Sequence, residues 1–146
     1  MKRSKSEKGE KVCKTMSDLT FNGRIRSFKF AFNGIWIMLS TQQNAWIHLF
    51  VTLIVIIFGV QFELTKFEWC WIILATISVF TAEALNTAFE FLTDVASPEF
   101  HPLAAKAKDV AAGAVLITAI GAVLIGLLIF SPYLSALSRE GFNLWR

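Results

Sequence analysis

From Phe21 to Leu39, apolar residues recur at Phe21, Ile25, Phe28, Phe32, Ile35 and Leu39. Alternating steps of four and three place them on one face of a helix. Asn22, Arg26, Lys29 and Asn33 form an adjacent polar stripe. A helix with these two faces suits the membrane interface, with its apolar side in the acyl boundary and its cations outward. A soluble core helix is the plainer reading of the same stripe, but the runs that follow argue against it.

Three apolar runs come next and predict spans at about 45–64, 67–93 and 109–131. The first is most apolar from Trp46 to Val60, which is short against the roughly 20 residues a crossing helix needs. Phe62 and Leu64 extend it. Trp69 and Trp71 open the second run, where an aromatic belt belongs. The third stops at Ser131-Pro132-Tyr133. Short connections are expected near 61–66 and 94–109. The expected fold is all-α and integral to a membrane, with an N-terminal amphipathic surface helix and three transmembrane helices. Its parts are a disordered cytoplasmic tail at 1–18, a membrane domain at 19–134 that begins with the surface helix at 19–41, and a short C-terminal tail at 135–146. Asp18 or Thr20 is placed to cap the surface helix.

Composition supports a bilayer as solvent. Hydrophobic residues make up 55% and charged residues 17% of the 146, against roughly 25% charged in a soluble domain. The first sixteen residues are too polar for a cleavable secretory signal. Nine of the fourteen Lys and Arg fall within residues 1–29. A soluble basic tail could bind nucleic acid. Beside membrane spans such charges instead set orientation and meet anionic headgroups, so no nucleic-acid partner is expected. An inside amino terminus puts the second connection inside too. With Lys106 and Lys108 that side gathers eleven cations, leaving Lys66, Arg139 and Arg146 for the other. The amino terminus is therefore expected inside and the carboxyl terminus outside. Cys13 and Cys70 match no metal-ligand spacing and are read as inert. Ala114, Thr118, Ala122 and Gly126 recur every four residues, a spacing that lets membrane helices approach closely. That stripe, and the little that three thin helices can bury alone, favour a homo-oligomer; packing within one chain would also use it.

The second run carries residues that packing does not explain: Glu83, Asn86, Glu90 and Asp94. A carboxylate inside a membrane helix is costly by a few kcal/mol or more and is a functional hypothesis by default. At about 100° per residue, Asn86 lies about 60° from Glu83, and Glu90 and Asp94 lie about 20° to either side of it. One stripe thus descends from within the bilayer to its edge, and its acids repel one another unless a cation, a proton or a partner helix intervenes. Lys108 and Asp109 open the third span on the same side. An interfacial ion pair with snorkelling side chains is the simplest structural reading of Lys108; the depth of Glu83 forbids that escape.

All the donors in this set are oxygens, which suits a hard cation such as magnesium bound by one or two carboxylates and phosphate oxygens. A lysine nearby can hold phosphate. A glutamate kept from bulk water suits general-base work near neutral pH. Neither a Walker A sequence nor a kinase glycine-rich loop occurs. The residues alone define a membrane protein with an interfacial acidic site, whose aligned acids suit phosphoryl transfer at the interface or an intramembrane ion or proton pathway.

Glu83-Ala84-Leu85-Asn86-Thr87-Ala88-Phe89-Glu90, followed by Asp94, closely resembles the signature of the prokaryotic diacylglycerol kinase and undecaprenol kinase family. His101 through Lys106-Ala107-Lys108-Asp109 resembles its second block, and the likeness covers about residues 21–133. Phe89 and Thr93 depart in type at flanking positions. The resemblance implies a homotrimer in the bacterial inner membrane with composite active sites at the cytoplasmic interface. It implies ATP, Mg2+ and transfer of the γ-phosphoryl group to a lipid hydroxyl. By resemblance Glu83 is the general base and Glu90 binds magnesium beside the nucleotide. Lys108 and Asp109 contact ATP, with Glu99 and His101 near it, while Asn86 supports the site through hydrogen bonds. The family usually has a glutamate as second metal ligand two residues before the asparagine of Asn44-Ala45-Trp46-Ile47-His48. Here that position is Gln42, which can still offer an amide oxygen but no negative charge, so weaker metal binding or lost activity follows as an expectation. Ala111-Ala112-Gly113-Ala114-Val115 is slightly more like the undecaprenol kinase branch.

Overall fold

The structure is a computed structural model that describes residues 21–143. The tail expected at 1–18, the caps at Asp18 or Thr20, Cys13 and the end of the C-terminal tail lie outside them. Among the described residues the chain forms four helices: α1 (Phe21–Thr41), α2 (Gln43–Gln61), α3 (Lys66–Ala96) and α4 (Pro102–Asn143). The chain divides into two units, Met1–Ile37 and Met38–Arg146. In the first, α1 is continuous, and Ile25, Phe28, Phe32 and Ile35 are all at least half exposed.

In the second unit α2, α3 and α4 are each long and apolar enough to cross a membrane. Large side chains such as Phe50, Ile57, Leu85, Ile117 and Leu128 face outward. That much exposed hydrocarbon is untenable in water and is what a bilayer covers. The small core sits at one end of this unit, where Leu64, Ile72 and Ile129 pack with Val55, Trp69, Ile125, Phe130 and Tyr133.

The α2–α3 turn explains why the core lies there. The N–H of Leu64 donates to the carbonyl of Gly59 and that of Glu63 to Val60, at 3.0 and 3.2 Å. This pair of bonds closes a helix C-terminus when one residue turns left-handed. That residue is Glu63, with φ 53°. Leu64 then folds back into the core. Thr65 starts α3 with a reciprocal cap: its hydroxyl accepts from the Glu68 N–H, and the Glu68 carboxylate accepts from the Thr65 N–H at 2.8 Å. Tyr133 of α4 donates to that carboxylate at 3.0 Å, tying the start of α3 to α4.

The helix containing the third expected span exceeds 109–131 at both ends. The connection expected over 94–109 shrinks to 97–101, because the segment after His101 is helical from its first residue. Pro102 stands where a missing N–H costs nothing, and His101 Nδ1 accepts from the Leu103 N–H at 3.2 Å. The stop expected at Ser131-Pro132-Tyr133 does not occur, and α4 runs through Pro132 to Asn143. Proline leaves the carbonyl four residues earlier unpaired. That carbonyl belongs to Leu128, and the Ser131 hydroxyl donates to it at 3.4 Å.

Gly59 marks the tightest approach in the core. A Cβ built there would lie 2.8 Å from the edge of the Trp69 ring and 3.2 Å from Leu64 Cδ1. Gly59→Val is expected to cost about 1–3 kcal/mol through overpacking, read as a lowered unfolding midpoint in detergent micelles. An unchanged midpoint would show that the Trp69 ring moves freely.

Candidate functional site

The acidic stripe of α3 is graded by burial. Glu83 is fully buried, Asn86 is buried, Glu90 is half-buried and Asp94 is exposed. The order follows from the neighbouring helices: α2 and α4 cover Glu83, Gln42 and Asn86 partly cover Glu90, and Asp94 lies beyond that cover.

At the deep end, Glu83 faces a 220 Å³ pocket lined by Asn44, Ile47 and His48 of α2, Asn86 of α3, and Ala112, Val115, Leu116 and Ala119 of α4. His48 Nε2 lies 3.3 Å from Glu83 Oε1. That is within ion-pair range but off the line of a hydrogen bond. Both carboxylate oxygens of Glu83 and Oδ1 of Asn86 are therefore buried without a hydrogen-bond partner. The backbone carbonyl of Glu83 accepts from Thr87 Oγ1 at 2.8 Å, so one further helix position is occupied with local bonding.

About two turns beyond Glu83, Glu90 is held from two sides. Gln42 Nε2 donates to Oε2 at 2.6 Å, and Asn86 Nδ2 donates to Oε1 at 3.1 Å. Gln42 reaches across because it is the single residue between α1 and α2, in an extended conformation with φ −102° and ψ 115°. Asn86 thus links the two carboxylates: its nitrogen serves Glu90, and its oxygen is left among the unpaired atoms near Glu83.

The remaining predicted residues gather around the α3–α4 connection. Lys108 donates to Asp94, one turn beyond Glu90 on α3, so the cation is engaged by the outermost acid of the stripe. Asp109, Glu99 and His101 are exposed. The structure thus brings together Glu83, Asn86, Glu90 and Gln42 in one cluster and Asp94 with Lys108 in another. It does not join Glu99, His101 or Asp109 to either. Sequence reasoning passed over His48 and Asn44 as members of the deep pocket. A histidine inside an apolar run is itself a warning of function, and that signal was available.

Among the described residues no group of three or more His, Cys, Asp and Glu could hold a metal. The oxygen donors nonetheless fit a hard cation sparingly: one carboxylate, Glu90, and the Gln42 amide, which presents its oxygen in place of its nitrogen after a half-turn.

The second unit thus combines apolar helices long enough to cross a membrane with a buried glutamate and a second carboxylate held by amides. The family model for prokaryotic diacylglycerol kinase matches residues 29–130, and the chain belongs to that family. It is a lipid kinase of bacterial membranes. A Bacillus subtilis protein named undecaprenol kinase is 42% identical over 113 residues, covering 77% of this chain and 92% of that protein. A Synechocystis protein named diacylglycerol kinase is 39% identical over 111 residues, covering 75% and 63%. A Helicobacter pylori protein of the same name is 30% identical over 129 residues, covering 84% and 98%.

The exposed Lys108–Asp94 pair has side chains 39% and 64% exposed and should add little to folding. Asp94→Asn is expected to change stability by no more than about 1 kcal/mol, as surface ion pairs do, measured by thermal unfolding in micelles. A larger loss would mean that the pair fixes the α3–α4 connection.

Proposed function

We propose that this lipid kinase transfers the γ-phosphoryl group of ATP to the terminal hydroxyl of undecaprenol, with Glu83 as the general base. Buried carboxylate oxygens with no hydrogen-bond partner carry the assignment. A fold does not retain such a group for stability, since an unpaired buried acceptor costs about 1–3 kcal/mol. A hydroxyl that enters the pocket donates to one of these oxygens. As its oxygen attacks the γ-phosphorus, its proton passes to Glu83, the bond to the bridging oxygen breaks, and ADP leaves. The identity with the Bacillus subtilis relative supports a polyprenol acceptor, while the other relatives keep diacylglycerol as the competing acceptor.

Glu90 and Gln42 would hold Mg2+, which supplies neutralisation of phosphate charge when bound. Lys108 binds nucleotide phosphate on exchange from Asp94, with Asp109, Glu99 and His101 around the same connection. The site faces the cytoplasm: the cation excess of the amino-terminal segment and of the α3–α4 connection supports that orientation. A 30 Å apolar layer that begins near Phe67 is used up after about 20 residues, which leaves Glu83 just inside it and Glu90 at its edge. α1 lies in the interface with its apolar stripe in the acyl layer. The working form is a homotrimer. Open space around Gly113, Gly121 and Gly126 within the chain supports packing of α4 against another copy.

The deciding experiment is an ATP- and magnesium-dependent assay in mixed micelles with undecaprenol and diacylglycerol offered separately. Phosphorylation of undecaprenol at the higher kcat/KM is expected; the reverse order would reassign the acceptor. Glu83→Gln should lower turnover by at least about 10²-fold, the usual worth of general-base catalysis, with the helical content retained by circular dichroism. Full activity in that variant excludes the base assignment.

Gln42→Glu replaces a neutral donor on Glu90 with a second carboxylate. It is expected to lower the magnesium concentration for half-maximal activity severalfold, because two carboxylates attract the ion more strongly than one. An unchanged magnesium titration would remove position 42 from the metal site.

A further inference from the structure

We infer that His48 is the positioning residue for Glu83: its Nε2–H fixes Oε1 so that Oε2 meets the acceptor hydroxyl. This inference rests on the assignment of Glu83 as the base. It starts from a problem of charge. Glu83 is fully buried, and its side-chain neighbours around the pocket are few. α4 contributes only Ala112, Val115, Leu116 and Ala119, none of which carries charge or a side-chain donor. On α3 itself, the Asn86 amide nitrogen is already committed to Glu90, and the nearest other acid, Glu90, offers no donor. From α2 come Asn44 and His48. His48 Nε2, at 3.3 Å, is the ring nitrogen facing the carboxylate, and a small turn of the ring completes a hydrogen bond.

The position of His48 gives this contact a consequence beyond charge balance. The residue also lines a 540 Å³ apolar cavity that runs beside Val51, Val55, Val79, Gly126 and Phe130. The polar pocket and the apolar cavity share Ile47, His48 and Ala119. The imidazole therefore stands where hydrocarbon surroundings give way to the reacting carboxylate. A carboxylate free to rotate there presents either oxygen, or turns towards Asn86. One anchored at Oε1 has a single oxygen left for the hydroxyl, and such pre-orientation acts on the chemical step rather than on nucleotide binding.

The test compares two amides at the same position. The nitrogen of His48→Gln reaches about where Nε2 stands, while that of His48→Asn stops short. Both variants are assayed for kcat, for KM of ATP and of lipid, and for thermal unfolding in micelles. His48→Asn is expected to lose at least tenfold in kcat with KM for ATP within about threefold of the parent. His48→Gln should recover most of that loss at matched stability. Equal kcat in the two amides, or a loss that follows stability or KM for ATP alone, overturns the positioning role. A fully active Glu83→Gln would instead sink the base assignment on which it stands. An inactive Glu83→Gln beside an unaffected His48→Asn would sink only His48.

Discussion

A carboxylate buried inside an apolar helix, with only His48 in ion-pair range, is the constraint around which the rest of this protein is arranged. Hydrocarbon cannot solvate Glu83, and burying it unpaired is costly. The chain meets that cost with secondary structure that asks for nothing more. Each spanning helix satisfies its own backbone. Three hydroxyls on α3 bond back to carbonyls of their own helix: Ser78 to Leu74, Thr87 to Glu83 and Thr93 to Phe89. Among the described residues, the buried side-chain oxygens without a hydrogen bond are those of Glu83 and Oδ1 of Asn86.

One cluster of large apolar side chains lies at the other end of the second unit from those oxygens. Leu64, Ile72 and Ile129 form the core beside the α2–α3 turn, where the Thr65–Glu68 cap and Tyr133 add directional bonds. Towards Glu83 the neighbours on α4 are Ala112, Val115, Leu116 and Ala119, which offer no polar group. The 220 Å³ pocket is thus an opening within a packed region, since Ala45, Ala82, Thr87 and Val115 are buried on the helices that line it.

Much of the fold was legible because a bilayer makes hydropathy a strong signal. Three long apolar helices contain the apolar runs of the sequence, and a further helix precedes them. Helix ends were less legible. A proline after a serine reads as a stop, yet Ser131 offers its own hydroxyl to the carbonyl that Pro132 abandons, and in an apolar environment continuing the helix satisfies more backbone than ending it. The acidic face of α3 followed from spacing alone. The contact from Gln42 to Glu90 did not, because it joins residues 48 positions apart through a one-residue break that no pattern announces. His48 escaped for a related reason: within an apolar run it adds nothing to the periodicity, and only its neighbour across the helix interface gives it meaning.

Gln42 shows how one substitution alters a site while leaving its shape. An amide and a carboxylate have nearly the same size, so the residue between α1 and α2 still reaches Glu90. What changes is the interaction with nothing bound. Two carboxylates at that separation would repel and need a cation to bring them together. An amide nitrogen instead donates to Glu90 directly, so the α1–α2 junction and α3 are joined by the chain's own atoms. As proposed, metal binding at this position would break a charge-assisted hydrogen bond and turn the amide, whereas in a pair of acids it would relieve repulsion. On the proposed reading, this chain gains an assembled site at rest and gives up part of its hold on magnesium, a trade made at a position that contributes nothing to the deep pocket around Glu83.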